Sequence, residues 1–311
     1  MTHTSHRTDH GLTVIDACYD GLGDAITYAW IARTAADNGE PVAVNFGRWH
    51  DVAVLLDVEP WATFEHSDRY YTQRSGFSKH HLGEIEAVFD WHRDGGDMPT
   101  RFASWCAFFG VDGGQPSRPM YVEDERDAIE AEASWKAVRE GLQKAGKAAD
   151  GPVVVLSPIA NSAERSWPMA RWGELAKTMI EAGCVVAVVV PDGVDPKHFP
   201  AVIGTERLGS LFAIVQRADL VISGDSGLAH VGGTLGVATL VVAGGTDPAV
   251  VFSHMGEVVT WVGNDEMACT GCHWDTDKGY RRACQSGCQS LLTLSVDRVM
   301  DAADARLEVR R

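Results

Sequence analysis

The strongest chemical signal in the sequence is a strand that runs directly into a glycine-bounded turn and then into a helix. The turn is Gly224-Asp225-Ser226-Gly227, and the helix is predicted over residues 227–235. The first N–H groups of a helix have no partner inside it, and the helix dipole favours negative charge at that end. Because Gly227 has no side chain, a diphosphate can approach these groups closely. The alternative is that Asp225 or Ser226 only caps the helix and that the glycines allow tight packing.

Two further side chains are predicted at the same edge of the sheet. Arg165 follows the strand predicted at 153–157, and ligands of α/β sheets bind at the carboxyl ends of the strands. A guanidinium there can neutralise a phosphate, although most arginines are solvated surface residues. Asp192 follows the next strand, predicted at 185–190, where a carboxylate could bond a ribose hydroxyl. Its local sequence, Pro-Asp-Gly, is also that of an ordinary turn.

A glycine-rich turn that contains an acidic residue lies near the N-terminus. The run Gly21-x-Gly23-Asp24 separates a strand predicted at 12–17 from a helix predicted at 25–38. Because ligands gather at the carboxyl ends of the strands in such a fold, this turn is a candidate site. The alternative is an acidic residue that is stabilised at a helix N-terminus by the dipole. Two other aspartates lie nearby, Asp16 and Asp20.

Four of the seven cysteines cluster in one segment. Their spacing is Cys269-x2-Cys272-x11-Cys284-x3-Cys288, with a histidine directly after the second. Four thiolates in two close pairs can surround a tetrahedral zinc ion, so a structural zinc site is one interpretation. Free or bridged thiols are the other, since the second pair is separated by three residues instead of two.

Strands alternate with helices over most of the chain, which predicts an α/β fold. The N-terminal order of strand, glycine-rich turn, helix and strand is a βαβ opening. A second domain is predicted after a boundary near residue 150, where two glycines and a proline occur. Its short apolar strands are typical of a parallel sheet that is covered on both faces. Its elements are predicted at 153–157, 169–182, 185–190, 210–217, 220–223, 227–235 and 238–243, with a charged helix at 123–147 before them and an amphipathic helix at 296–307 after them.

Composition excludes several classes of protein. The 311 residues suffice for two domains at ~150 residues each. The formal net charge of −16 disfavours broad binding to nucleic acids or to anionic membranes. No apolar run approaches the ~18 residues that a membrane span needs, and residues 1–10 lack the apolar core of a secretory signal. We therefore expect a cytoplasmic protein without a transmembrane anchor.

Several segments taken together resemble the family 9 glycosyltransferases, the group that includes the lipopolysaccharide heptosyltransferases. The matching segments are 158–172, 224–230, 244–248 and the Gly-Leu-Gly-Asp run that ends at Asp24. The likeness is strong over 153–295, local over 15–36 and poor over 59–121. It implies the GT-B architecture, in which two Rossmann-like domains face each other across a cleft. The domains implied are an acceptor domain at 1–150, a nucleotide-sugar donor domain at 151–295 with a cysteine-rich loop at 269–288, and a final helix at 296–311.

The resemblance also implies roles for individual residues. Asp24 matches the family's catalytic aspartate, which in an inverting transfer takes the proton of the acceptor hydroxyl. Arg165 matches a basic residue that contacts the leaving diphosphate. The other donor-binding candidates are Asp192, Asp225, Ser226, Gly227, Leu228, His230, Thr246 and Asp247, while Gly21 and Gly23 belong to an acceptor loop. A buried, hydrogen-bonded histidine is an equal alternative for His230, and Gly245 stands where the family has the proline of Gly-Pro-Thr.

The implied substrates are a nucleotide-sugar donor, with an ADP-sugar favoured by the resemblance, and an acceptor hydroxyl of unknown identity. No cofactor is expected for the chemistry, and zinc would be structural. Aromatic residues and histidines accumulate between residues 61 and 105, where rings could stack on an acceptor or simply form core.

Two other functions are compatible with parts of the sequence. A dinucleotide-dependent oxidoreductase would explain the glycine turn after the first strand, but Ile26 replaces its third glycine and the next strand ends at Asn45 instead of an acidic residue. A nucleotide-sugar-binding protein without transferase activity would explain the divergent segment 59–121, but the retention of both Asp24 and Arg165 favours an enzyme.

Overall fold

The chain divides into two compact units. The first comprises residues 1–122 and 249–255, and the second comprises residues 123–248 and 256–311. The structure is a computed structural model that describes residues 5–7, 13–16, 21–40, 42–58, 100–160, 162, 165–190, 199–204, 207–267, 269–272 and 287–308. Across these ranges, no helix combines the length and the apolar character needed to cross a membrane.

The first unit contains a three-stranded sheet with helices. In the order β1-β2-β3, the first pair is antiparallel and the second is parallel, as a βαβ opening requires. The strands are β1 (Ser5–Arg7), β2 (Thr13–Asp16) and β3 (Val42–Asn45), and the helices are α1 (Leu22–Asp37), α2 (His50–Leu55) and α3 (Arg101–Phe109), with a 3-10 turn at Gly47–Trp49.

Aromatic packing joins α1 to α3 in the core of the first unit. The rings of Tyr28 and Trp105 are stacked with centroids 5.0 Å apart, and both side chains are fully buried. Residues 249–255 also belong to this unit, and they include His254. The ring of His254 stacks on Phe102 and makes an edge contact with Trp30. Such rings bury large apolar areas, so they hold the start of α3 at a defined place beside α1.

The second unit is built on a six-stranded, fully parallel sheet. The strand order is β6-β5-β4-β7-β8-β9. From β4 the chain first adds β5 and β6 on one side, and it then returns to add β7, β8 and β9 on the other side. The strands are β4 (Val153–Ser157), β5 (Val185–Val189), β6 (Val202–Ile203), β7 (Leu220–Gly224), β8 (Thr239–Val242) and β9 (Val259–Val262). The four inner strands of the sheet, β5, β4, β7 and β8, are buried along their whole length. This burial explains their continuous apolar sequences.

The described residues of this half of the chain also form helices, several of which pack on the sheet. They are α4 (Glu125–Lys144), α5 (Met169–Glu181), α6 (Leu208–Gln216), α7 (Gly227–Leu235), α8 (Pro248–Phe252), α9 (Gln289–Thr293) and α10 (Val296–Glu308), with a 3-10 segment at Ser253–Val258. Most of α8 belongs to the first unit, and α10 packs against α5 and the sheet. The α/β fold expected from the sequence is confirmed, and β4 and α7 have the predicted bounds.

The long charged helix α4 belongs to the second unit, whereas the sequence-based division at residue 150 places it in the first. Its buried face, which includes Ala131, Trp135 and Val138, lies on α6. The indole N–H of Trp135 donates to the carbonyl oxygen of Ile214 at 3.2 Å. The glycines and proline near residue 150 therefore mark a loop within the second unit, and the division between the units falls at residues 122 and 123.

Candidate functional site

The carboxyl ends of β4 and β7 meet at one edge of the second unit's sheet. Ser157 pairs in register with Ser223, so the loops that follow the two strands start side by side. This is the point at which the strand order reverses, where α/β sheets commonly bind ligands. The sequence places Arg165 on the first loop and Asp225 on the second.

Arg165 and Asp225 contact each other at this edge. Arg165 Nη1 lies 3.6 Å from Asp225 Oδ2 and donates to the Asp225 carbonyl oxygen at 3.5 Å. Arg165 Nε donates to Ser162 Oγ at 3.0 Å. The Asp225 side chain is 6% exposed, against 30% for Arg165. The guanidinium is therefore oriented on two sides, and in the described part of the chain no hydrogen bond is recorded for its Nη2 group.

The N-terminus of α7 carries no side-chain cap. Ser226 occupies the cap position, but its hydroxyl lies 2.9 Å from Ser223 Oγ and makes no capping hydrogen bond. Only the third residue of the helix, Ala229, is bonded back to the cap, through the Ser226 carbonyl oxygen. The N–H groups of Gly227 and Leu228 have no intrahelical acceptor. The alternative in which Asp225 or Ser226 satisfies these groups as a cap is therefore not what the structure shows.

A glycine later in α7 lets the helix lie close to the sheet. A Cβ atom added to Gly232 would lie 2.4 Å from Thr239 Oγ1 and 3.2 Å from Val221 Cγ2. Gly232, a glycine outside the predicted Gly224–Gly227 turn, therefore allows the close packing that places the helix and its uncapped end. His230, on the same helix, is 3% exposed, so the structure favours the buried alternative for this side chain.

Thr246 and Asp247 lie in the loop after β8, the strand next to β7. Thr246 is 3% exposed, and its hydroxyl oxygen has no hydrogen-bond partner among the described residues. A buried hydroxyl without a partner is energetically costly. Asp192, the remaining donor-side candidate, lies outside the described residues, as does most of the aromatic segment 61–105.

In the first unit, Asp24 is the third residue of α1. Its Oδ2 accepts a hydrogen bond from the N–H of Gly21 at 3.0 Å, which is a local capping role. Its Oδ1 lies 3.5 Å from Arg101 Nη1 at the start of α3. Gly23 contributes its carbonyl oxygen, which accepts the hydroxyl of Thr27. Asp24 therefore has the position of the alternative interpretation, an acidic residue at a helix N-terminus, together with an ion pair that this position does not require.

Arg101 was not among the residues selected from the sequence. It is 77 residues from Asp24 and follows a segment of weak periodicity, so no local pattern marks it. The one available signal is its position directly after Thr100, whose hydroxyl accepts the N–H of Ala103 and caps α3. Recognition of this cap would have placed Arg101 at the start of a helix, but it would not have identified Asp24 as its partner.

The cysteine-rich loop is described in part. Cys269, Cys272 and Cys288 lie in the described part of the loop, and the last two are buried. Within the described residues no group of three or more potential ligands is assembled for a metal ion. Cys284 lies outside those residues, so the complete four-cysteine set stays a prediction.

Comparison with known proteins identifies the family. The glycosyltransferase family 9 (heptosyltransferase) matches residues 118–278, slightly more than half of the chain. The curated protein sequences give no significant match. At the level of structure, the chain is similar to several solved glycosyltransferases.

Three of these structures share the fold at low sequence identity. The E. coli ADP-heptose LPS heptosyltransferase II has a TM-score of 0.56 at 14% identity, covering 96% of this chain and 99% of that one. A family 9 glycosyltransferase from Veillonella parvula DSM 2008 has a TM-score of 0.59 at 13% identity, covering 99% and 100%. The iron-containing dodecameric glycosyltransferase TibC from enterotoxigenic E. coli H10407 has a TM-score of 0.63 at 13% identity, covering 96% and 77%.

These likenesses confirm the GT-B type of α/β fold expected from the sequence. The family match makes the oxidoreductase interpretation wrong and confirms that the protein is an enzyme that transfers sugars. The chain belongs to glycosyltransferase family 9.

Proposed function

We propose that the protein transfers a sugar from a nucleoside-diphosphate sugar to a hydroxyl group of an acceptor, with inversion at the anomeric carbon. The observation that carries the proposal is the uncapped N-terminus of α7 beside the oriented guanidinium of Arg165. Backbone N–H groups, a helix dipole and a cation in one place favour a diphosphate. The second unit is then the donor side, and the first unit is the acceptor side.

The first donor to test is an ADP-sugar. Two similar structures concern such donors: the E. coli enzyme is an ADP-heptose heptosyltransferase, and TibC has been solved with ADP-D-β-D-heptose. In this chain the diphosphate would contact the N–H groups of Gly227 and Leu228 and the Nη2 group of Arg165. The Thr246 hydroxyl would gain a hydrogen-bond partner. Asp225 holds Arg165 in position and, being a carboxylate, would contact hydroxyl groups of the donor and not its phosphates.

The chemistry follows from the charges at the two sites. The acceptor oxygen forms a bond to the anomeric carbon while the bond from that carbon to the diphosphate oxygen breaks, and the electron pair leaves with the diphosphate. Arg165 and the helix N–H groups stabilise the negative charge that develops there. Asp24 takes the proton from the acceptor hydroxyl, so no charge accumulates on the acceptor oxygen. Gly21, the N-cap of α1, and Gly23, in its first turn, lie beside this carboxylate, so the acceptor loop expected from the sequence is in part the start of a helix.

The cysteines form a separate, structural part of the proposal. Cys272 and Cys288 are buried, and their spacing with Cys269 and Cys284 fits a site in which thiolates surround a metal ion. Zinc is the metal expected from the sequence, and the iron of TibC makes iron the second metal to measure. Elemental analysis of the purified protein, with Cys272→Ser as the comparison, decides between one equivalent of metal and none. The sugar transfer itself needs no metal in this scheme.

Nucleotide binding and turnover test the function together. Thermal stabilisation is measured with ADP, UDP, GDP, CMP, their sugar conjugates and NAD(P), since a ligand at ~100 times its dissociation constant stabilises the native state by ~2.7 kcal/mol. We expect a shift with one nucleoside diphosphate and its sugar. Arg165→Met should weaken that binding, while Arg139→Met on α4, outside the site, should not.

Turnover is followed as release of the free nucleoside diphosphate in the presence of sugar acceptors. Asp24→Asn should bind the nucleotide as the parent does, and its transfer rate should be about 10²- to 10⁴-fold lower. Parent-like transfer by both Asp24→Asn and Arg165→Met would reject the proposed site. The acceptor class and the cytoplasmic location stay predictions, and no nucleic-acid acceptor track is expected.

A further inference from the structure

The cysteine turn, residues 269–272, touches the donor loop, residues 244–247, through the backbone. The N–H of Gly271 donates to the carbonyl oxygen of Gly244 at 3.0 Å. A Cβ atom added to Gly271 would lie 3.5 Å from Cβ of Asp247, which is van der Waals contact. The turn and the loop therefore lie directly against each other in the second unit.

On its far side, the turn is held by the hydroxyl group of Thr270, among other contacts. Thr270 Oγ1 donates to the carbonyl oxygen of Asn264 at 2.8 Å and lies 2.8 Å from Ser290 Oγ. Ser290 is fully buried in α9, and Asn264 follows β9. The turn is thus fixed to the sheet and to a helix, and it has little freedom to adjust if the donor loop moves.

The conformation of the turn depends on a glycine. Gly271 has a φ of +74°, in the left-handed region that L side chains rarely adopt. Its N–H points at Gly244 only while this conformation holds. Gly39, at the end of α1 in the first unit, has the same φ of +74° and has no atoms within 4 Å of an added Cβ. It offers a control with equal backbone strain in the other unit.

The donor loop contains a buried polar group that lacks a hydrogen-bond partner among the described residues. The Thr246 hydroxyl is buried and, in the described residues, accepts and donates no hydrogen bond. The position of the Thr246 hydroxyl depends on the backbone of the donor loop, which includes Gly244. The cysteine turn contacts this loop at Gly244. A small displacement of this backbone changes where the hydroxyl is presented.

We infer that the cysteine turn positions the donor loop, so that affinity for the nucleotide part of the donor depends on the conformation of residues 269–272. The inference rests on the proposed function, in which the donor loop binds the nucleotide-sugar. Its consequence is that the cysteine-rich segment, which takes no part in the chemistry, affects donor binding through its contact with the donor loop.

The test compares nucleotide affinity in Gly271→Ala and Gly39→Ala. The probe is whichever of ADP, UDP, GDP or CDP binds the parent most tightly, measured by calorimetry without acceptor. Gly271→Ala is expected to raise the dissociation constant about five- to tenfold, because relief of the backbone strain breaks the bond to Gly244. Gly39→Ala is expected to bind as the parent does.

A second pair of variants removes the dependence on a glycine substitution. Thr270→Val deletes both anchoring hydrogen bonds with little change in shape, and it should also weaken binding at least about threefold. The matched control is Thr178→Val, which deletes the hydroxyl that donates to Glu174 within α5, on the exposed surface. Turnover should follow the same split, with KM for the donor raised and kcat at saturating donor retained.

Thr246→Val separates failure of this inference from failure of the proposed function. If it loses affinity while Gly271→Ala and Thr270→Val bind as the parent does, the positioning role is wrong and the donor loop assignment stands. If it too binds like the parent, the donor loop does not bind the nucleotide, and both proposals for this loop are overturned. Should Gly271→Ala not fold, Thr270→Val alone decides the positioning role.

Discussion

Arg101 Nη1 lies 3.5 Å from Asp24 Oδ1, and the two side chains are only 14% and 21% exposed. The guanidinium also lies over the ring of Trp105, with 5.5 Å between its central carbon and the ring centroid. Trp105 in turn stacks on Tyr28 of α1. The cation is therefore held by the same aromatic packing that joins α1 to α3, and it orients the oxygen of Asp24 that the Gly21 N–H does not bind.

The first prediction concerns this ion pair. Arg101→Met keeps the apolar stem over Trp105 but removes the charge, so Oδ1 of Asp24 loses its orientation. We expect kcat for sugar transfer to fall about tenfold or more with KM for the donor unchanged. Arg101→Lys should recover part of the loss. Steady-state rates at saturating donor measure the effect, and thermal unfolding verifies that the variants are folded.

Arg33→Met is the control for the loss of an arginine beside α1. Arg33 pairs with Asp37 on the exposed surface of the same helix, where an ion pair contributes little. The Arg33→Met variant should transfer sugar at the parent rate. An Arg101→Met enzyme with the parent's kcat would contradict the orienting role.

The second prediction concerns the close packing of α7 on the sheet. Gly232→Ala forces a methyl group against Thr239 and Val221, so we expect a loss of about 1–3 kcal/mol in the free energy of unfolding. Gly141→Ala, in the exposed part of α4 with no atoms within 4 Å, should instead gain about 0.5–1 kcal/mol. Urea unfolding of the two variants measures both signs. Equal stabilities would show that α7 can move away from the sheet without cost.

The third prediction is a pH dependence that arises from Glu130 on α4. Hydrogen bonds from Ser210 and then from Arg126 lower the pKa of this carboxyl below its usual value of 4.5. Its pKa in the folded protein is therefore lower than in the unfolded chain, and the unfolded chain binds more protons in acid. The stabilisation is present above the unfolded-state pKa and is lost as the pH falls through the folded-state pKa.

Glu130→Gln should accordingly be less stable than the parent near neutral pH, and the difference should shrink below pH 4.5. Urea unfolding across this pH range gives the measurement. Ser210→Ala should reproduce the trend, since it removes the main cause of the shift. A difference that grows towards acid pH would mean that Glu130 is not the group responsible.

The fourth prediction concerns the buried thiol of Cys106 on α3. Burial, together with the carboxylates of Glu40 and Asp112, raises the pKa of this thiol to about 12. Since the thiolate is the reactive form, Cys106 should resist iodoacetamide in the native protein near pH 8. It should react readily once the protein is unfolded in guanidinium. Peptide mass spectrometry distinguishes it from the other cysteines, and labelling of Cys106 at equal rates in both states would contradict its burial.

The order of strands and helices in the second unit could be predicted from the sequence alone. Its strands are short, continuously apolar and separated by helices of amphipathic period, because both faces of a parallel sheet are buried. The start of a helix at Gly227 was also predictable, since it depends on neighbouring residues, whereas the sequence left open whether Asp225 or Ser226 caps it. So was the capping bond of Asp24, three residues from its partner Gly21.

The pairings that give these residues their chemical surroundings depend on the tertiary structure. Arg165 and Asp225 are 60 residues apart and meet because β4 and β7 are neighbours in the sheet, while Arg101 meets Asp24 because aromatic side chains join α3 to α1. The assignment of α4 to the second unit likewise follows from its packing on α6. Local periodicity and capping involve residues a few positions apart, so they can be recognised in the sequence. Contacts between distant segments form only when apolar surfaces pack together and bring those segments next to each other.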